Sequence, residues 1–219
     1  MMRNGFIIFF LITIFMLSPS QAKVNPFRDT LQTLDAGIEQ VVFLSYEDGQ
    51  YGLFGLEKIE GTWRVAFDWM EAEIGRNGLA PLGKKREGDG RTPSGMFELK
   101  RAFGYEPNIE TGLEYSQVTE NDFWIDDVES AQYNQWVKGP TQANSFERLR
   151  RDDDLYKYAI VIEYNTDSIV AGMGSAIFLH IWRGTDKPTA GCVALAEENV
   201  LKLLKWLDSS KKPVIILEP

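Results

Sequence analysis

The stretch Ile177-Phe178-Leu179-His180-Ile181-Trp182-Arg183, followed after a short polar loop by Thr189-Ala190-Gly191-Cys192-Val193-Ala194-Leu195, holds the single histidine and the single cysteine of this 219-residue chain. Its first half is a dense apolar and aromatic run, the pattern of a buried β-strand, so His180 is held by packing and its ring can be aimed. A thiol is a good nucleophile as thiolate, and an imidazole within hydrogen-bond reach is the usual means of making one near neutral pH. Each residue type occurs once, so any Cys–His chemistry must use this pair. On that reading, alkylation of Cys192 begins well below the ~8.5 of an ordinary thiol. Gly191 lets a substrate carbonyl approach, and the N–H groups at Gly191 and Cys192 are candidates for an oxyanion hole. Acyl transfer through a thioester is the chemistry these residues describe. The alternative is a core histidine bonded to a backbone carbonyl beside a cysteine buried as a small hydrophobe. With one Cys and one His there is neither a zinc ligand set of these residues nor a disulfide, and no metal or cofactor is expected.

Working outward, Glu197–Asp208 reads as a helix, with Val200, Leu203, Leu204 and Leu207 on one face and Glu197 and Glu198 in its first turn. Cys192 falls just before it, where backbone N–H groups favour a thiolate. Val214–Leu217 is a last strand. Upstream, Tyr156–Tyr164 and Ala176–Trp182 read as strands, and Gln40–Tyr46, Tyr51–Ile59 and Thr62–Trp69 as a β-meander. The loop Gly83–Gly95, rich in Gly, Pro and charge, leads into a strand at Met96–Leu99. A short helix is expected at Pro26–Leu34. Residues Pro107–Asp154 read as irregular and polar, a functional loop or lid. The fold class is mainly β, with a few helices (α+β).

The N-terminus has the form of a secretory signal: Arg3 in a short positive start, an apolar run Gly5–Leu17, and a small-residue cleavage site ending at Ala22. The apolar run is shorter than the roughly 20 residues of a membrane span, although an uncleaved anchor is the alternative. The expected organisation is a signal at 1–22, a lead-in at 23–39 and one domain at 40–219, exported to the periplasm without a transmembrane anchor after cleavage. The chain has 23 basic and 32 acidic residues, net −9, and loss of Arg3 takes this to −10. Such a balance argues against nucleic acid or an anionic membrane as partner. In an oxidising compartment an unpaired cysteine points to a reactive thiol or an intermolecular bridge.

The block Phe178-Leu179-His180-Ile181 … Pro188-Thr189-Ala190-Gly191-Cys192-Val193-Ala194-Leu195 resembles the C-terminal signature of the L,D-transpeptidase catalytic domain, the YkuD-like or ErfK family. Gly88-Asp89-Gly90-Arg91-Thr92-Pro93-Ser94-Gly95-Met96-Phe97 is similar to that family's Gly-Asp-x-(Lys/Arg)-Thr-Pro-x-Gly-x-Phe element. Trp124–Asp127, Tyr133–Trp136 and Leu155–Asn165 fit a divergent branch, so the resemblance covers roughly Gln40 to the C-terminus. It implies a β-sandwich-like domain with a helix after the cysteine. It also implies a reaction in which Cys192, activated by His180, attacks a peptidoglycan tetrapeptide stem, releases D-alanine and passes the acyl group to an amine or to water. Gly191 and the Cys192 backbone would serve the oxyanion. Where the commoner pattern has His and Arg near the cysteine, this chain has Ala190 and Ala194. Arg183 and Lys187, with Thr189, are candidates to bind substrate in their place, or are solvated loop residues. Trp124, Trp136 and the Asp126/Asp127 pair either line the donor site or belong to core and turn. A hydrolase on the same scaffold (L,D-carboxypeptidase or amidase) and a non-catalytic wall-binding domain are the competing functions.

Overall fold

The computed structural model describes residues 27–218, so the expected signal at 1–22 lies outside the described residues. A short helix α1 (Arg28–Thr33) leads into three long strands joined by tight turns, β1 (Gln40–Glu47), β2 (Gln50–Ile59) and β3 (Thr62–Glu73). Then come β4 (Gly95–Glu98), β5 (Arg101–Gly104), β6 (Glu114–Gln117), β7 (Asp122–Ile125), β8 (Trp136–Lys138) and β9 (Phe146–Arg148). The chain ends with β10 (Tyr158–Val161), β11 (Phe178–Ile181), β12 (Val193–Leu195), α2 (Glu197–Trp206) and β13 (Val214–Leu217). Ten strands form one mixed sheet in the order β4-β13-β1-β2-β3-β12-β11-β10-β5-β6, and β8-β7-β9 form a second, smaller sheet. The mainly β fold with a helix after the cysteine is the expected class.

Strand alternation assigns the faces. On β1, Val42 and Leu44 enter the main core, while Val41 and Phe43 point the other way, against Leu31 of α1 and Ile38. The Phe27 ring stacks on Phe43 with centroids 4.2 Å apart. Ile215 and Leu217 of β13, Ala102 of β5 and Ile160 of β10 all join that same main core, although these strands lie towards opposite ends of the sheet. The sheet therefore bends round a single apolar centre, and Glu163 N–H donates to the Glu98 carbonyl where its two ends meet. Val200, Leu203 and Leu204 of α2 fill that centre, as their one-face spacing predicts.

The strand expected at Ala176–Trp182 contracts to Phe178–Ile181 and that at Thr62–Trp69 extends to Glu73, and two further readings change. The stretch Pro107–Asp154 is not an irregular lid; it carries β6 and the whole small sheet. Its strands are three or four residues long, too short to show a period of two, and β7 is buried on both faces. Its first residue is a buried acid, Asp122, satisfied by the Thr119 hydroxyl at 2.7 Å, the Thr119 N–H at 2.8 Å and Trp136 Nε1 at 2.9 Å. Polar composition masked a strand whose polar groups are all paired. The strand expected at Tyr156–Tyr164 contracts to Tyr158–Val161, because Lys157 N–H and Tyr164 N–H turn back to Asp154 and Ile162.

Candidate active site

On β11, Leu179 and Ile181 face the main core, so Phe178 and His180 face the other way, towards the small sheet. β11 pairs in parallel with β12, setting His180 beside Ala194 and Leu179 beside Val193. Cys192, directly before β12, is thus one same-face step from His180's neighbour on the adjoining strand. The two residues line a cleft of about 260 Å³ between the large sheet's face and loops of the small sheet. They do not hydrogen-bond to each other. The thiol donates to the Ala176 carbonyl at 3.3 Å and accepts from the Phe178 N–H at 3.4 Å. Ala176 holds a left-handed backbone at φ +52°, pinned by its N–H to Asn134 Oδ1 at 3.1 Å. His180 Nδ1 lies 2.7 Å from the Ile181 carbonyl. A carbonyl only accepts, so Nδ1 carries the proton and Nε2 keeps the lone pair.

Burial dominates the electrostatics. It pushes the Cys192 thiol up to about 12, against the Phe178 N–H, which favours the thiolate; the charge of Glu147 adds to the rise, while Lys85 and Arg151 oppose it. Burial likewise lowers His180 to about 4, with the Arg151 and Arg183 charges acting in the same direction and the bond to Ile181 opposing. At neutral pH the pair is a neutral thiol and a neutral imidazole, not a preformed ion pair. The direction of these shifts runs against the expected early alkylation: desolvation of an enclosed thiolate opposes its ionisation, and the histidine does not touch it. Iodoacetamide rates measured between about pH 5 and 10 are expected to keep rising beyond the ordinary thiol range of ~8.5. A plateau starting below pH 7 would show a thiolate–imidazolium pair instead.

The loop Gly88–Gly95 supports the cysteine from beneath. The Thr92 side chain, fully buried, accepts from Gly75 N–H at 2.9 Å and donates to the Cys192 carbonyl at 3.3 Å. Thr189 Oγ1 donates to the same carbonyl at 2.7 Å and accepts from Gly191 N–H at 3.0 Å. A Cβ at Gly191 would lie 3.0 Å from the Arg91 carbonyl oxygen, and one at Gly75 only 2.5 Å from that of Gly90. Here glycine is required by close approach of backbones. Arg91 holds the loop, its guanidinium donating to the Leu79 carbonyl at 3.0 Å.

Residues 39–216 match the family model of the L,D-transpeptidase catalytic domain, YkuD. This chain belongs to that family. No curated protein matches it. Among solved structures it is similar to the helical cell shape determining protein Pgp2 from Campylobacter jejuni, at 19% identity and a TM-score of 0.42. That alignment covers 81% of this chain and 46% of the other, so the chain spans less than half the length of that protein.

The YkuD domain brings only some of the expected residues together. Arg183, Lys187, Thr189, Gly191, His180 and Cys192 all line the cleft. Arg183 is exposed and reaches Asp153 at 3.4 Å. Ala190 and Ala194 line it too, so no side chain beyond Cβ enters from either position. Trp124 and Trp136 do not line it. Trp124 is core, packed on Phe178 with its Nε1 on Asn134, and Trp136 packs on Phe103 with its Nε1 on Asp122. Of the acidic pair, Asp126 lines the cleft while Asp127 caps Asn144. Glu147, Arg151 and Tyr156 went unrecognised in the sequence. Tyr156 stands edge-on to the His180 ring at 5.1 Å, donates its hydroxyl to Glu147 at 3.2 Å and lies under the Arg151 guanidinium. Glu147 and Arg151 come from a segment whose sequence carries no periodic or motif signal, and Tyr156 opens a stretch readable only as a strand.

Proposed function

We propose that this chain is an exported, periplasmic cysteine L,D-transpeptidase that acts on peptidoglycan tetrapeptide stems. The reading is carried by one observation: the Cys192 thiol and the His180 ring, its Nδ1 held by the Ile181 carbonyl, line one cleft in a YkuD domain. As Cys192 sulfur attacks the stem carbonyl, its proton passes to His180 Nε2, and the oxyanion is met by the backbone N–H of Cys192, joined by that of Gly191 as it leaves Thr189 Oγ1. Collapse forms the thioester, and D-alanine leaves as its amine with the proton from His180. An acceptor amine then attacks the thioester and gives a proton to His180, which returns it to the sulfur. Charge separation occurs only during attack, so the buried pair need not be ionic at rest. In this reading Arg183 and Lys187 meet a stem carboxylate, while the Thr189 hydroxyl, given to the Cys192 carbonyl, braces the loop.

The test is intact-mass analysis of the mature protein incubated with a carbapenem and, separately, with tetrapeptide muropeptides. A single adduct lost in Cys192→Ala, together with cross-linked dimer, is the expected result. Tripeptide without dimer would assign the thioester to water and make the protein an L,D-carboxypeptidase. Neither adduct nor product would remove the enzymatic reading and leave a wall-binding domain.

A further inference from the structure

We propose that Asn134 is a positioning residue for Cys192: from the connection between β7 and β8 it holds the Ala176 carbonyl against the thiol, so that the resting sulfur keeps its proton and directs it to that carbonyl rather than to His180. Asn134 is buried and uses its whole amide. Its Oδ1 accepts from Trp124 Nε1 at 2.8 Å and from the Ala176 N–H at 3.1 Å. Its Nδ2 donates to the Tyr164 and Asn165 carbonyls at 3.1 and 2.7 Å. Two donors on the oxygen and two carbonyls on the nitrogen fix which way the amide points. The backbone of Asn134 is itself left-handed, at φ +56°, a conformation that asparagine takes more readily than most residues. Its neighbour Tyr133 accepts from the Gly174 N–H at 3.0 Å and donates to Glu87 at 2.5 Å. The Ser175 hydroxyl donates to that same Glu87 oxygen at 2.6 Å. Gly174, Ser175 and Ala176 are therefore each held by a side chain of another segment.

Ala176 needs such a hold. At φ +52° its Cβ crowds the backbone, and an alanine left free would abandon that region. Held there, its carbonyl lies 3.3 Å from Cys192 Sγ, while the Phe178 N–H meets the sulfur at 3.4 Å. The two bonds act in opposite senses. The carbonyl takes the S–H hydrogen and favours the neutral thiol, and the N–H favours the thiolate. Transfer of the proton to His180 must therefore break the bond to Ala176. Asn134 touches neither the sulfur nor the cleft's lining and acts through one peptide unit. The other titratable groups that bear on the thiol, Glu147, Lys85, Arg151, Tyr156 and His180, are unchanged by substitution at 134 or 176.

This role rests on Cys192 being the reacting group of the proposed transpeptidase, but iodoacetamide reads the thiol alone, so the stem chemistry can fail while the hold on the thiol stands, and the reverse. Asn134→Gly keeps the left-handed turn and removes the amide. Its Cys192 is expected to alkylate about fivefold faster than the parent's at about pH 8, the effect of losing one hydrogen bond that favours the neutral thiol. In N134G/A176G the rate is expected to fall back towards the parent's, because glycine holds φ +52° without strain. Equal rates in the parent and N134G, with the same near-ultraviolet circular dichroism, would overturn the proposal. A double variant as fast as N134G would overturn it too, since the amide would then brace the cleft without acting through Ala176. One measurement needs no variant. The chain has a single cysteine, so its S–H stretch is one infrared band. In the native protein that band is expected at lower frequency than that of butanethiol in an apolar solvent, because the hydrogen is bonded to a carbonyl. A band at the butanethiol position would show a free S–H and sink the proposal.

Discussion

His180→Gln is expected to slow acylation of Cys192 by a carbapenem or a stem peptide by ~10²–10⁴-fold, the range of a positioned general base. The size follows from the protonation states. With the thiol pushed up to about 12, almost none of it is thiolate at neutral pH, so attack depends on a base that accepts the proton as the carbon–sulfur bond forms. His180 is available for this because burial keeps the ring unprotonated at neutral pH and the Ile181 carbonyl holds its one proton on Nδ1, leaving the Nε2 lone pair to accept. Glutamine keeps a donor for Ile181 and similar bulk but has no basic nitrogen. The parent's acylation rate should fall towards acid as His180 protonates near pH 4 and stay flat through neutrality; the variant should instead rise with pH as free thiolate forms. Stopped-flow acylation across that range decides the matter. A loss below about threefold, well under the general-base range, would mean that His180 is a core residue.

Gly75→Ala is expected to destabilise the domain by about 1–3 kcal/mol, the usual cost of forcing extra volume into close packing. It should also depress acylation. The added Cβ would lie 2.5 Å from the Gly90 carbonyl oxygen and 2.8 Å from the Thr92 nitrogen, both backbone atoms that cannot swing aside. Any accommodation parts the end of β3 from the Gly88–Gly95 loop and strains the bond from Gly75 N–H to Thr92, which in turn steadies the Cys192 carbonyl. Isothermal urea unfolding measures the first effect and carbapenem acylation the second. Unchanged stability with full activity would show that the loop does not brace the cysteine.

Long apolar periods were readable in the chain: the three-strand meander, the one-faced helix after the cysteine, and the buried strand carrying His180. The glycine-bearing loop was readable as a motif, but its purpose was not. That Thr92 and Thr189 share the Cys192 carbonyl depends on a contact between residues 100 positions apart. The small sheet escaped notice because its strands are short and its buried acid, Asp122, is paired locally with Thr119 and Trp136. Trp124 and Trp136 looked like donors to a site because an indole serves equally as lining or core. Their N–H partners, Asn134 and Asp122, decide for core.

By itself the sequence determined which atoms are available for chemistry, since one thiol and one imidazole leave no other pair, and it determined the family through two motifs in order. Only the tertiary structure decided the state of that pair. Ionisation is a property of the surroundings: enclosure by β11, the Cys192 loop and the small sheet removes water from both groups, raises the thiol and lowers the imidazole. The same enclosure brings Asp126 and Glu147, which no spacing linked to His180 and Cys192, to the walls of the same cleft.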